Sequence, residues 1–211
     1  MKKIYFVRHG ESEGNASPIR KGIMSSLSEK GKEQARSIAQ RCADIPIELL
    51  ISSTVNRAKE TAEIISEKIH KPVELSDLFI ERRRPSEVYG KPKNDPTALH
   101  VENEIVKNFS KEGWRYSNED NFDDLKKRAL EALDYLANRP EENILVVSHG
   151  FFLRIVMACV VHGSELTGKE CEGFIRTFHM ENTGMTVLCC DEKNKDNPWW
   201  LWIWNDHAHL D

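Results

Sequence analysis

The sequence predicts an α/β fold, a three-layer α/β/α sandwich around a mostly parallel central sheet, and three observations lead there. Short apolar runs of strand length recur along the 211 residues and alternate with longer segments of helical period. Strands alternating with helices imply a sheet covered on both faces. The chain also has the length of one α/β domain, without a repeat or low-complexity linker to divide it, so a single domain over 1–211 is expected.

The strand runs fall at 4–7, 49–52, 73–75, 144–148, 186–190 and 199–204. Between them, Ala35, Ile38, Ala39 and Cys42 share one helical face, with Ser28 as N-cap and Glu29 in the first turn. Ala58, Ala62, Ile65 and Ile69 line a second helix, and Leu125, Ala129, Leu133 and Leu136 a third that stops before Pro140. Residues 151–161 are apolar nearly all round and predict a buried helix. The four tryptophans Trp199, Trp200, Trp202 and Trp204 suggest a last strand covered on both faces, with core packing as their role. Residues 81–121 break the rhythm with Pro85, Pro92, Pro96 and basic clusters. So long a stretch is expected to fold as short helices and loops over the edge of the sheet, capping whatever site lies there.

Composition narrows the function. Thirty Lys and Arg against 34 Asp and Glu give a net charge of −4, which offers no general attraction to nucleic acid or anionic lipid. The most apolar stretch, 144–161, is interrupted by His149 and Arg154, and no membrane partner is expected. The apolar run after Met1, Lys2 and Lys3 is too short for a signal peptide, so the expected location is cytoplasmic. Five cysteines without C-x-x-C spacing read as reduced, mostly buried thiols. Oligomeric state is not legible.

Three strand ends gather chemistry. The first strand runs into Arg8, His9, Gly10 and Glu11; the second ends at Ser52 and Ser53 with Arg57 in the following helix; the fourth delivers His149 and Gly150. In an open α/β sheet, ligands sit outside the carboxyl ends of the strands, where helix N-termini present free N–H groups. Two arginines and two histidines in one crevice suit a phosphate. Arginine grips it through paired hydrogen bonds, and imidazole changes charge near neutral pH.

The run Phe6-Val7-Arg8-His9-Gly10-Glu11-Ser12-Glu13-Gly14-Asn15 resembles the opening signature of the histidine phosphatase superfamily, the phosphoglycerate mutase-like proteins. The resemblance continues in the family's order through 27–35, the second arginine motif at 52–62, Val146-Val147-Ser148-His149-Gly150 and the ending at 205–210. Thr54 and Glu60 stand where the family commonly has proline and glutamine, and the glycine-and-tryptophan motif after Glu81 is absent, with Glu87-Val88-Tyr89-Gly90 nearest to it. Glu81 matches the family's acid, and Glu87 is the alternative.

The resemblance implies a metal-independent phosphomonoesterase without cofactor, acting on a small phosphorylated substrate. His9 would attack phosphorus to form phosphohistidine. Arg8, Arg57 and His149 would hold the equatorial oxygens, and Asn15 would add a hydrogen bond. Glu81 would protonate the leaving alkoxide. The alternatives are a mutase that returns the phosphoryl group to its substrate, and a phospho-ligand-binding protein without catalysis. Two other signals fail. The stretch 163–170 mimics a P-loop but ends in Glu170 and follows a helix. His207 and His209 lack a third ligand, so no metal site is expected. The run Arg82-Arg83-Arg84 would ordinarily be a solvated face, and near this mouth it would steer anions.

Overall fold

The computed structural model describes residues 1–22, 24–191, 193–194 and 198–210. Among these residues six strands form one sheet: β1 (Lys2–Arg8), β2 (Leu49–Ser53), β3 (Val73–Ser76), β4 (Asn143–Ser148), β5 (Met185–Cys190) and β6 (Trp199–Asp206), in the order β3-β2-β4-β1-β5-β6. Each matches an expected run. The first four strands run parallel, and only β5 opposes its neighbours β1 and β6. The helices are α1 (Glu13–Ala16), α2 (Glu29–Cys42), α3 (Asn56–Ile69), α4 (Pro96–Asn108), α5 (Phe122–Ala137), α6 (Gly150–His162) and α7 (Gly168–Thr177).

Alternation along the central strands makes the sandwich. Ile4 and Phe6 of β1, with Ile144 and Val146 of β4, face a core completed by Leu125, Ala129 and Leu136 of α5 and by α6. Val7, Leu145 and Val147 point the other way, onto Ile38, Ala39 and Cys42 of α2 and Ala58, Ala62 and Ile65 of α3. Each large aliphatic side chain so buried contributes roughly 1.5–3 kcal/mol. Helix α6 is buried at Phe152, Leu153 and from Ile155 to Cys159, as its apolar sequence predicts, whereas Val161 in its last turn is 65% exposed, and Gly163 at φ +60 ends it. All five cysteines are free and buried.

Two expectations need correction. Strand β6 is one of the two edges of the sheet, so its tryptophans are not all covered: Trp199 is buried, whereas Trp202 is 58% and its neighbour Leu201 42% exposed. Aromatic content alone does not reveal whether a strand lies at an edge. The 81–121 segment holds a full 13-residue helix, α4, rather than short helices alone. Asp95 caps it and Pro96 opens it, and Ala98, Val101 and Ile105 pack with Val88 in a separate small apolar cluster. No helix among the described residues is long and apolar enough to cross a membrane.

Candidate active site

Register brings the strand ends together. Arg8 pairs with Ser148 across the parallel β1–β4 ladder, so His9 and His149 leave the sheet side by side, their rings 5.0 Å apart edge to face. Strand β2 lies on the other side of β4, which puts Ser53 beside His149, its hydroxyl hydrogen-bonded to Nε2 at 2.8 Å. Arg57, in the first turn of α3, donates from Nε to Nε2 of His9 at 2.9 Å. Nδ1 of His9 lies 2.6 Å from the Gly10 carbonyl oxygen. Both contacts require the same tautomer: Nδ1 carries the proton and Nε2 keeps the lone pair.

The loop after His9 is fixed by close backbone approach. A Cβ at Gly31, in the first turn of α2, would sit 1.9 Å from the Glu11 carbonyl oxygen. Only glycine lets α2 come this near. From the other side, Asn182 donates from Nδ2 to the His9 carbonyl at 2.9 Å, and Thr183 N donates to the Arg8 carbonyl at 2.9 Å. Asn205 in turn accepts from Glu181 N, and His209 is hydrogen-bonded to the Thr183 hydroxyl. The terminal motif thus braces the His9 loop.

Glu81 follows β3 after a short 3-10 turn whose Phe79 carbonyl accepts from the Ser148 hydroxyl at 2.7 Å. Its carboxylate accepts from Phe152 N at 3.0 Å and Phe151 N at 3.3 Å, amides in the first turn of α6, and from Arg82 N at 2.9 Å. The acid is therefore anchored to the helix that His149 begins. Asn15 closes a capping box with Ser12 through its amide oxygen, which leaves its NH2 group as the donor toward the cavity.

Arg8, His9, Asn15, Arg57 and Glu81 line one cavity of about 640 Å³, and His149 is wholly buried behind His9. Glu87 is not part of that wall; it lies exposed on a 3-10 turn. The cavity is strongly cationic, with Arg20, Lys21, Arg82, Arg84, Lys93 and Arg154 added to Arg8 and Arg57, against the carboxylates Glu81 and Glu102. Sequence reasoning did not single out Tyr89, Phe151, His179 and Met180, which also line it, or Asn182 behind it. Asn182 stands in the Glu181–Gly184 turn before β5, and only the pairing of β5 with β1 brings that turn to His9.

Burial, and then the cations Arg57 and Arg8, push His9 well below the ordinary imidazole value. His149 is pushed well below it too, by burial first and then by Arg57 and His9. Both rings are neutral at pH 7. Burial also lowers Arg8 and Arg57, opposed in each case by Glu81. Among the described residues, two buried side-chain nitrogens of the site, Arg8 Nε and His149 Nδ1, have no hydrogen-bond partner. Among the described residues, no three His, Cys, Asp or Glu side chains converge as metal ligands.

The strand ends hold two neutral histidines within reach of two arginines, an arrangement whose charge and size suit a phosphoryl-sized anion. The chain belongs to the histidine phosphatase superfamily (branch 1), whose family model matches residues 4–205. The expected fold, family and phosphatase class are met. The chain is 25% identical to the "Uncharacterized phosphatase PhoE" of Bacillus subtilis, covering 100% of this chain and 97% of that one. It is 30% identical to the "2,3-bisphosphoglycerate-dependent phosphoglycerate mutase" of Thermoplasma acidophilum, covering 89% and 87%. The solved structure of Bacillus stearothermophilus YhfR superposes with a TM-score of 0.82 at 23% identity over the whole of both chains, a likeness of fold.

Proposed function

We propose that this protein hydrolyses a small phosphorylated metabolite by way of a phosphohistidine on His9, without a metal. The observation that carries the reading is the state of His9: a neutral ring with its proton fixed on Nδ1, and Nε2 in a cavity walled by Arg8 and Arg57. The Nε2 lone pair attacks phosphorus, an N–P bond forms and the P–O ester bond breaks. Arg57 now spends on that lone pair the Nε–H that it would move to a phosphoryl oxygen. Among the described residues Arg8 Nε and His149 Nδ1 are buried without a hydrogen-bond partner, and an anionic oxygen would give Arg8 Nε its acceptor and, with His149 protonated on Nδ1, that nitrogen as well. Glu81 gives its proton to the departing alkoxide. It then takes one from the water that breaks the N–P bond and releases phosphate. Asn15 adds its NH2 to the phosphoryl group.

Hydrolysis of p-nitrophenyl phosphate in EDTA tests this. Turnover that survives chelation and disappears in His9→Ala is the expected result, with an acid-labile phosphoenzyme trapped from wild type only. A His9→Ala protein of wild-type activity would refute the assignment. The name of the 30%-identical relative favours a second reading, transfer of the phosphoryl group back to a phosphorylated acid. Rapid isomerisation of phosphoglycerate with little release of inorganic phosphate would establish it.

A further inference from the structure

The chain that carries Glu81 is clamped two residues further on. Of the three arginines after the acid, Arg82 lies over the Phe151 ring and Arg84 bonds Glu102, both in the cavity wall, while Arg83 takes no part in that wall. Arg83 is held by its backbone: its N–H donates to Asp120 Oδ2 at 3.0 Å, and its carbonyl accepts from Asp120 N at 2.9 Å. Asp120 is 7% exposed and stands just before the Asn121 cap of α5. Its carboxylate also meets Nη1 of Arg128, further along that helix, at 3.4 Å. The Arg128 guanidinium lies 4.7 Å from the centre of the buried Phe152 ring, and the Phe152 amide is the closer of the two α6 donors to Glu81.

Neither Asp120 nor Arg128 lines the cavity, and stability does not account for the pair. Desolvation offsets most of the attraction in a buried ion pair, so such pairs add little net stability. Arg128 is also underbonded: among the described residues its Nε and Nη2 are buried without a hydrogen-bond partner. Burial lowers it, and the charges of Asp120 and then Glu81 oppose that. What the cation does secure is geometry. Its stacking seats the Phe152 ring, and its ion pair fixes Asp120 and with it the Arg83 peptide. The Glu81 carboxylate is held at the first of these anchors, and the chain just after it at the second.

Resting on the proposed role of Glu81 as the acid, we propose that Arg128 and Asp120 are positioning residues for it, a buttress outside the cavity that keeps its carboxyl group aimed at the leaving oxygen. They touch neither the substrate nor the phosphoryl group. A general acid works only within hydrogen-bond reach of the oxygen it protonates, and a misplacement of about 1 Å costs up to roughly 10²-fold. Loss of the buttress therefore weakens proton delivery. It leaves attack by His9, and the hold of Arg8 and Arg57 on the phosphoryl group, as they were.

The values of kcat/KM for p-nitrophenyl phosphate and phenyl phosphate test this, because the poorer leaving group depends more on the acid. Arg128→Met should lower the phenyl phosphate value about tenfold or more and keep the p-nitrophenyl phosphate value within about twofold of wild type. Competitive inhibition by inorganic phosphate should be unchanged, and Arg128→Lys should recover part of the loss. Asp120→Asn keeps an acceptor for the Arg83 amide without the charge; it should show the same selective loss, and it decides the matter should Arg128→Met fail to fold. Equal losses on both esters, or weakened inhibition by phosphate, overturn the buttress alone. Glu81→Gln is the control: equal losses there, or a wild type that hydrolyses neither ester, overturn the proposed function of the acid, and the buttress with it.

Discussion

Acidification should destabilise this protein through its buried histidines before most of its carboxylates are protonated. His9 and His149 are both buried and both held well below the ordinary imidazole value of 6.5. Below pH 6.5 the unfolded chain therefore binds protons that the folded chain refuses, and stability falls as pH falls. Each histidine contributes up to about 1.4 kcal/mol per pH unit once the unfolded form is fully protonated, or about 2 kcal/mol between pH 7 and pH 5. Two buried rings that stay neutral down to pH 5 set an upper bound of about 4 kcal/mol on the loss, a large part of an ordinary domain's 5–15 kcal/mol. The half-buried His209 acts in the same direction, more weakly; Glu119, raised by burial, opposes it toward the acid end. The lowered carboxylates, such as Asp206 at about 2, affect stability only at lower pH. Urea unfolding at pH 7 and pH 5 gives the loss directly, and a His9→Gln/His149→Gln protein should lose much less over the same interval. A wild type equally stable at both pH values would refute the reasoning, as would a double variant that keeps the full pH dependence.

Two further outcomes follow from the geometry around His9. Gly31→Ala puts a methyl 1.9 Å from the Glu11 carbonyl oxygen, with backbone on both sides, and should cost roughly 1–3 kcal/mol despite alanine's better helix propensity; an unchanged melting temperature would show that the α2 approach is not tight. Glu81→Gln should slow release of an alkyl alcohol far more than release of p-nitrophenolate, which needs little protonation. Equal losses in steady-state rate on both esters would remove Glu81 from the acid role.

Much of the molecule is legible before any coordinates. Period and apolar pattern place all six strands and the main helices, because a strand covered on both faces must be apolar throughout and a helix covered on one face must repeat near 3.6 residues. His9, His149, Arg8 and Arg57 stand out because each ends or directly follows a strand or lies in the first turn of a helix, where an α/β sheet presents side chains to a ligand. Glu81 and Glu87 could not be separated that way. They lie six residues apart in a segment without period, and only the docking of that segment on α6 sends Glu81 to two helix amides and leaves Glu87 in solvent.

The sequence by itself determined the sandwich, the family and the two histidines and two arginines proposed to carry the chemistry, since these depend on local pattern and on motifs contiguous in the chain. The tertiary structure alone decided that β6 is an edge strand, which tautomer His9 holds, that Asn182 and Asn205 brace its loop, and which of three adjacent arginines stacks on Phe151 with no ion pair among the described residues. All four depend on contacts between residues far apart in the chain, set by strand order and by the path of 81–121, and neither is written in any local period.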